Sequence, residues 1–165
     1  MEHLIIYGKP FSGKSTLCRL LAKYAGYTPL LTGDLTRAMR RSGIQSLPTV
    51  MRTALDNLKP GRYCHDHLYV HTLRQLVDRG DTVSVVRLVD TERRPFPARY
   101  ADKLTAKTER FNAQSDFVEH ALAHLPDIQC VKVTNGPQGF DVSNLVDAGL
   151  VPFDCPVVLS VEDLW

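Results

Sequence analysis

The chain has little of what marks a secreted or membrane-spanning protein. Its four cysteines, Cys18, Cys64, Cys130 and Cys155, show no pairing rhythm, so buried free thiols in a reducing compartment fit better than disulfides. No apolar run approaches the roughly 18 residues of a membrane span, and no charged-then-apolar leader opens the chain. These absences predict a cytoplasmic protein without a membrane partner.

An excess of charge of either sign is also missing. Lysine and arginine total 20 against 18 aspartates and glutamates, a formal net charge of +2. This charge is too small to argue for a nucleic-acid partner, although it does not exclude one. The sequence contains no repeat, low-complexity tract or linker, and its 44% hydrophobic content is ordinary, so we expect a single domain over residues 1–165.

One stretch carries a recognisable chemical pattern. Residues 8–15 read G-x-x-x-x-G-K-S, after the apolar run Leu4–Tyr7 and before a predicted helix over about 14–25. In this strand-loop-helix context the loop N–H groups and the helix N-terminus cradle phosphate oxygens. Lys14 then reaches the outer phosphates, and Ser15 offers its hydroxyl to Mg²⁺. The residues that we assign to the phosphates of ATP are Gly8, Lys9, Pro10, Phe11, Ser12, Gly13, Lys14, Ser15 and Thr16.

Strand and helix patterns alternate along the rest of the chain. Strands are predicted over about 27–31, 82–89 and 128–133, with weaker signals at 62–66 and 157–161. Helices are predicted over about 35–41, 48–58, 67–79, 115–125 and 141–148. This alternation indicates a parallel sheet with helices on both faces and ligands beyond the carboxyl ends of its strands. The loops 8–15, 32–37, 66–71, 90–107 and 135–139 would open on that edge.

A second motif resembles a known family. Thr32-Gly33-Asp34-Leu35-Thr36-Arg37-Ala38 is similar to the T-G-D-x-x-R-A signature of adenylate kinase and related nucleoside monophosphate kinases. The resemblance implies that residues of about 32–60 hold the phosphate acceptor, that Arg37 clamps its phosphate, and that Thr32, Gly33 and Asp34 line the nucleoside. The planar fork of arginine suits phosphate independently of the family. Asp34 is also predicted to cap the helix.

The same resemblance covers two later segments. It implies a lid at about 90–107 whose arginines close over the triphosphate, so Arg93, Arg94 and Arg99 join Lys14 as predicted catalytic residues. A solvated charged loop is the alternative, since acidic residues nearly balance these charges. Lys132–Gly136 resembles the family's last strand and loop, which implies that Asn135 and Gly136 pack against adenine. Short motifs around residues 85–87, 115–116 and 135–136 also resemble phage-type deoxynucleoside monophosphate kinases.

One part of the family pattern is absent. The D-G-F-P-R strand end is replaced by Cys64-His65-Asp66-His67-Leu68. Asp66 is predicted to orient Mg²⁺ through water, and Arg74 or Arg52 to substitute for the missing clamp. Zinc is an alternative for this cluster, but it lacks the four ligands of a structural site.

Together these patterns predict a three-layer α/β P-loop kinase fold with an arginine-containing lid. The predicted reaction transfers the γ-phosphoryl group of ATP, with Mg²⁺ as cofactor, to a nucleoside or deoxynucleoside monophosphate. A polynucleotide 5′-kinase or another small-acceptor kinase is one alternative, and it would require a basic groove for the strand. A nucleotide-binding regulator or hydrolase is another, although the N-K-x-D-like motif of a guanine switch is missing.

Overall fold

The structure, a computed structural model, describes residues 1–91 and 98–164. It is a mixed α/β protein built on one seven-stranded sheet. The strands are β1 (Glu2–Gly8), β2 (Thr28–Leu30), β3 (Arg62–His65), β4 (Thr82–Asp90), β5 (Gln129–Gly136), β6 (Gly139–Asp141) and β7 (Val158–Leu159). The helices are α1 (Lys14–Ala25), α2 (Thr32–Ser42), α3 (Leu47–Asp56), α4 (Val70–Asp78), α5 (Ala101–Ala123) and α6 (Ser143–Asp147), with short 3₁₀ turns at Ala98–Tyr100 and Val161–Leu164.

The strand order in the sheet is β2-β3-β1-β4-β5-β6-β7. The first five strands in this order are parallel, and β1 pairs with β4 in register from Glu2↔Thr82 to Gly8↔Leu88. Beyond β5 the sheet turns antiparallel, because the chain folds back between Gly136 and Gly139 to pair β6 with β5. The sheet is thus mostly parallel, as predicted, and antiparallel at this edge, where 135–139 was expected to be a loop.

Apolar side chains lie on both faces of the sheet, which explains why its strands read as continuous apolar runs. Leu4 and Ile6 of β1 pack with Leu17 and Leu21 of α1 on one face. Ile5, between them, belongs to a second cluster on the opposite face. That cluster takes residues from α3, α4 and the second half of α5: Met51, Leu55, Leu73, Leu76, Val118 and Leu122. The sheet is thus covered by helices on both faces.

Two helices begin earlier than their patterns indicate. Helix α2 starts at Thr32 with Leu31 at its N-cap and no side-chain cap, so the prediction that Asp34 caps this helix is wrong. Asp34 instead lies in the first turn. Helix α5 starts at Ala101 rather than near 115, so the second half of the predicted lid loop is helical. No side chain of its first half is fully buried, and Leu104 and Phe111 are half-buried there, so the apolar stripe is too sparse for a sequence pattern to show.

Parallel strands place their carboxyl ends at a common edge of the sheet. Several segments that contain predicted site residues lie at this edge. The loop after β1, the start of α2 after β2, and Asp66 after β3 all lie there. Helix α5 begins at the same end of the sheet, following the segment that leaves β4. In the described part of the chain, no helix combines the length and apolarity required to cross a membrane.

Candidate functional site

The loop between β1 and α1 has a backbone that depends on its two glycines. Gly13 has φ +99°, and a Cβ there would lie 2.8 Å from Cζ of Phe140. A Cβ at Gly8 would lie 2.9 Å from the carbonyl oxygen of Leu88 on the neighbouring strand. Phe11 also has a positive φ, of 61°, which a bulky side chain rarely adopts. The sequence thus specifies a tightly curled loop that is packed closely against β4 and β6.

The buried side chain of Asn135 supports the loop between β1 and α1. Its Nδ2 donates to the carbonyl oxygen of Ser12 at 3.0 Å, and its side chain is 1% exposed. Ser12 in turn donates from its hydroxyl to the carbonyl oxygen of Lys9 at 2.6 Å. The structure places Asn135 and Gly136 at the end of β5 rather than in a loop. The Asn135 side chain is therefore buried against the 8–15 loop. The contact of Asn135 and Gly136 with adenine stays a prediction.

Lys14 folds back over the loop that precedes it. Its Nζ donates to the carbonyl oxygens of Gly8 and Lys9, both at 3.0 Å. Burial lowers the pKa of Lys14 to about 8, and the positive charge of Lys107 acts in the same direction, whereas Asp66 opposes both. Within residues 1–91 and 98–164, the hydrogen bonds of this ammonium go to neutral carbonyl oxygens, so a phosphate anion at the same place would be a stronger partner.

Asp66 joins the ends of three segments. One carboxylate oxygen accepts the Ser15 hydroxyl at 2.9 Å. The other accepts both the backbone N–H and the hydroxyl of Thr32, each at 2.8 Å. The carboxylate and the Ser15 hydroxyl are hard oxygen ligands of the kind Mg²⁺ prefers, and such sites are completed by substrate phosphates and water. The predicted magnesium pair is thus brought together, and its chemistry fits that ion.

The predicted acceptor residues lie in the first two turns of α2. Arg37 forms an ion pair with Asp34 one turn earlier, and their side chains are 65% and 62% exposed. Gly33 lies under the Arg37 guanidinium, where a Cβ would be 3.5 Å from Nη1. Thr32 contacts Asp66, as described above. The resemblance-based roles of Gly33, Asp34 and Arg37 in acceptor binding stay predictions, with Arg37 free to exchange an exposed carboxylate for a phosphate.

The predicted lid residues have different outcomes. Arg93 and Arg94 lie outside the described residues. Arg99 lies in the turn before α5, with its guanidinium 4.7 Å from the centre of the Tyr100 ring. Lys107, which the sequence analysis did not select, contacts the 8–15 loop, with its Nζ 5.2 Å from the centre of the Phe11 ring.

Phe111 was also missed. It follows Lys107 by four residues on α5, and its ring stacks on that of Tyr7, with centroids 5.3 Å apart and an interplanar angle of 28°. Lys107 and Phe111 therefore place one face of α5 against the middle of the 8–15 loop and the end of β1. Had α5 been predicted to start at Ala101, the i,i+4 spacing of these two residues would have indicated a shared face.

The histidines around Asp66 have separate environments. Cys64 contacts Cys18 of α1 inside one core cluster, whereas His65 contacts His3 of β1 at 2.9 Å. The His67 ring lies 4.4 Å from that of Tyr69, centroid to centroid, and burial, with the Lys14 charge, lowers the pKa of His67 to about 4. Residues 64–67 thus do not face a common point, and among the described residues no three His, Cys, Asp or Glu side chains are arranged to hold a metal.

Comparison with known proteins adds no identification. No protein-family model matches the chain, and no curated protein matches it. What the site does must therefore be inferred from its own residues and distances.

Proposed function

We propose that the protein is a P-loop kinase that transfers the γ-phosphoryl group of ATP to a nucleoside or deoxynucleoside monophosphate. The observation that carries the proposal is the convergence of the curled 8–15 loop, the Lys14 ammonium and the Asp66–Ser15 pair at 2.9 Å. A central strand leading into the loop, with helices on both faces of the sheet, supports the P-loop kinase fold. An acceptor region on α2 and α3 and a lid after β4 belong to the same proposal.

The loop and Lys14 would hold the triphosphate. N–H groups of the curled backbone and the N-terminus of α1 present positive charge to the β- and γ-phosphates. Lys14 would exchange the carbonyl oxygens of Gly8 and Lys9 for phosphate oxygens, and a nearby anion favours its charged form. These contacts position the γ-phosphorus without any covalent involvement of the protein.

Magnesium would be held beside this loop. The ion would supply positive charge to neutralise the transferred group. The Ser15 hydroxyl would ligate the ion, and the Asp66 carboxylate would orient its water ligands. The hydrogen bonds from Thr32 fix the Asp66 carboxylate, so the carboxylate is in place before nucleotide binds.

The transfer step requires no protein base. An ionised oxygen of the acceptor's phosphate attacks the γ-phosphorus while the bond from that phosphorus to the β,γ-bridging oxygen breaks. The electron pair leaves with ADP, and the acceptor becomes a diphosphate. The protein contributes positioning and positive charge: Arg37 on the acceptor phosphate, Lys14 and Lys107 near the transferring group, and Arg93, Arg94 and Arg99 as lid residues.

The test is a direct assay of phosphoryl transfer. The protein is incubated with ATP and Mg²⁺ against a panel of ribo- and deoxyribonucleoside monophosphates, and the products are separated. We expect one or a few diphosphates with matching ADP. Lys14→Ala should lower kcat/KM by about 10³-fold or more, as loss of a preorganised charge at the transferring group does. The control is Arg19→Ala, which removes an exposed cation from the same helix.

The other possible results of this assay would favour a different function. ADP without any phosphorylated acceptor would favour the hydrolase or switch function. Phosphate transfer only to nucleic-acid 5′ ends would favour the polynucleotide kinase.

Arg37 is the residue that tests the acceptor side. Arg37→Ala should mainly raise the acceptor KM, whereas Arg40→Ala, one turn further along α2, should not. Unchanged acceptor kinetics in Arg37→Ala would remove Arg37 from the acceptor site.

A further inference from the structure

Two cysteine side chains contact each other in the core. Cys18 lies on α1 and Cys64 on β3, and their sulfur atoms are 2.9 Å apart although 46 positions separate the residues in the sequence. Both residues are fully buried, with 0% exposure. All four cysteines of the chain are free, so this contact joins two reduced thiols.

The contact lies beside the proposed magnesium pair. Cys18 follows Ser15 by three residues on α1, which places the two on one face of the helix. Cys64 precedes Asp66 by two residues at the end of β3. Because the Ser15 hydroxyl donates to the Asp66 carboxylate at 2.9 Å, the hydrogen bond and the sulfur contact connect the same two segments of the chain.

The positions of the two sulfur atoms suit a disulfide. Such a bond has an S–S distance of about 2.0 Å, so the sulfurs would approach each other by about 0.9 Å. Each side chain would contribute roughly half of that movement. The other two cysteines have different surroundings, since Cys130 is exposed and the Cys155 thiol donates to the carbonyl oxygen of Pro156 at 3.4 Å.

We propose that Cys18 and Cys64 are an oxidisable pair, which a peroxide converts to a disulfide that ties α1 to β3. In the first step one sulfur attacks a peroxide oxygen, the O–O bond breaks, and a sulfenic acid forms with release of water. The second sulfur then attacks the sulfenic sulfur, and the S–S bond forms as the S–O bond breaks. The hydroxyl leaves with the second thiol proton as water. The two thiols thus lose two protons and two electrons, and hydrogen peroxide takes them up to give two molecules of water.

Burial makes this oxidation slow. The thiolate is the reacting form of cysteine, and burial, with the hydrogen bond to Cys64, raises the pKa of Cys18 well above its ordinary value. The oxidant must also reach sulfurs that have no exposed surface, which requires a local opening of the core. We therefore expect oxidation over hours, with the neighbouring thiol capturing the sulfenic acid before it is oxidised further.

Peptide mapping of the unaltered, full-length protein tests the bond itself. Reduced protein is treated with hydrogen peroxide overnight, free thiols are blocked with N-ethylmaleimide in urea, and tryptic peptides are analysed by mass spectrometry. Trypsin releases Cys18 in peptide 15–19 and Cys64 in peptide 63–74. We expect these peptides to be joined, with the loss of two hydrogen atoms, and to separate after treatment with dithiothreitol. Absence of the joined pair would overturn the proposal, whether the two thiols remain free or are oxidised separately.

Thermal unfolding tests whether the bond ties α1 to β3. A disulfide here closes a loop over residues 18–64, which constrains the unfolded chain, so we expect oxidation to raise Tm by about 10 °C. Dithiothreitol should restore the lower Tm. A joined peptide pair without a rise in Tm would overturn the tie between the two elements.

The remaining cysteines supply matched controls. Cys130→Ala and Cys155→Ala should keep both the joined peptides and the rise in Tm, whereas Cys18→Ala and Cys64→Ala should lose both. Where the two core variants unfold, peptide mapping of the unaltered protein still decides. Neither readout uses a nucleotide, so the result is independent of whether the protein proves to be a kinase.

Discussion

Asp66 is the residue on which the geometry of the site depends most. Its carboxylate receives hydrogen bonds from Ser15 at the start of α1 and from Thr32 at the start of α2. The side chain follows β3, the strand between β1 and β2, so it lies between the ends of both neighbouring segments. From the sequence alone, Asp66 was predicted to orient Mg²⁺ through water. The bonds to Thr32 could not be predicted, because they depend on which strands are neighbours in the sheet.

Replacing the Asp66 carboxylate with an amide removes its negative charge and leaves the size and shape of the side chain almost unchanged. Asp66→Asn keeps an oxygen to accept from Thr32, so thermal unfolding should show a folded protein. The negative charge that would organise magnesium is lost, and kcat with ATP–Mg²⁺ should fall by about 10²-fold or more, in line with the loss of one preorganised electrostatic group. The measurement is a Mg²⁺ titration of the initial rate, and the half-saturating Mg²⁺ concentration should rise.

The control for this substitution is Asp78→Asn, which changes an exposed carboxylate at the end of α4. It should leave the rate and the Mg²⁺ titration as they are in the unaltered protein. A Mg²⁺ dependence unaffected by Asp66→Asn would remove Asp66 from the metal site and leave it as a structural tie between α1 and α2.

The elements divide into those with a strong local signal and those without one. Helix α1 was predicted with the bounds it has, because its leucines are spaced along one face and Gly26 ends it in a left-handed conformation. Strand β4 was clear because its β-branched run is buried. The β5–β6 hairpin was not predicted, because Gly136 and Gly139 favour a loop as readily as a turn between paired strands.

Helix α5 shows how a functional element escapes pattern recognition. Its first half has two large apolar residues, Leu104 and Phe111, so hydrophobic periodicity placed its start near residue 115 instead of Ala101. Its alanines, lysines and glutamate nevertheless have high helix propensity. Lys107 and Phe111, which contact the loop side of the site, lie in this half. Their position followed from the fold and could not be read from periodicity.

At this scale the testable residue is Lys107. Lys107→Gln removes a cation that lies beside Phe11 and lowers the pKa of Lys14. We expect the KM for ATP to rise and kcat to fall, together a loss of about 10-fold or more in kcat/KM, because less positive charge faces the phosphates. The measurement is steady-state kinetics with ATP as the varied substrate.

Arg110→Gln is the matched control, since it removes an exposed cation one turn further along α5. Equal losses of kcat/KM in both variants would indicate a general effect of helix charge.

The same two variants also test the influence of Lys107 on the pKa of Lys14. Without the neighbouring cation, the pKa of Lys14 should move upward, which can be followed as a shift in the alkaline limb of the rate profile.

At the scale of the whole molecule, buried polar side chains connect β1, β3 and the turn before β4. Nε2 of His3 contacts the Asp81 carboxylate at 3.2 Å, and Nδ1 of His3 contacts Nε2 of His65 at 2.9 Å. With His3 neutral and donating to Asp81, its Nδ1 must accept, so His65 donates from Nε2. Both rings are buried, at 2% and 4% exposure. The folded state therefore holds these imidazoles neutral.

This burial predicts that the folded protein loses stability in mild acid. Burial lowers the pKa of His65 from 6.5 to about 3, with a contribution from His3, whose own pKa burial also lowers. Below pH 6.5 the unfolded chain therefore binds protons that the folded chain does not. The contribution of these histidines to the free energy of unfolding is complete above that pH and is lost as the pH decreases. For His65 alone the loss is about 2 kcal/mol at pH 5, or about 1.4 kcal/mol per pH unit. Urea unfolding between pH 7.5 and 5 measures this loss. His65→Gln should flatten the pH dependence of the free energy of unfolding, whereas His124→Gln, at an exposed position, should preserve it. A stability that stays constant or rises toward pH 5 would contradict neutral burial of these histidines.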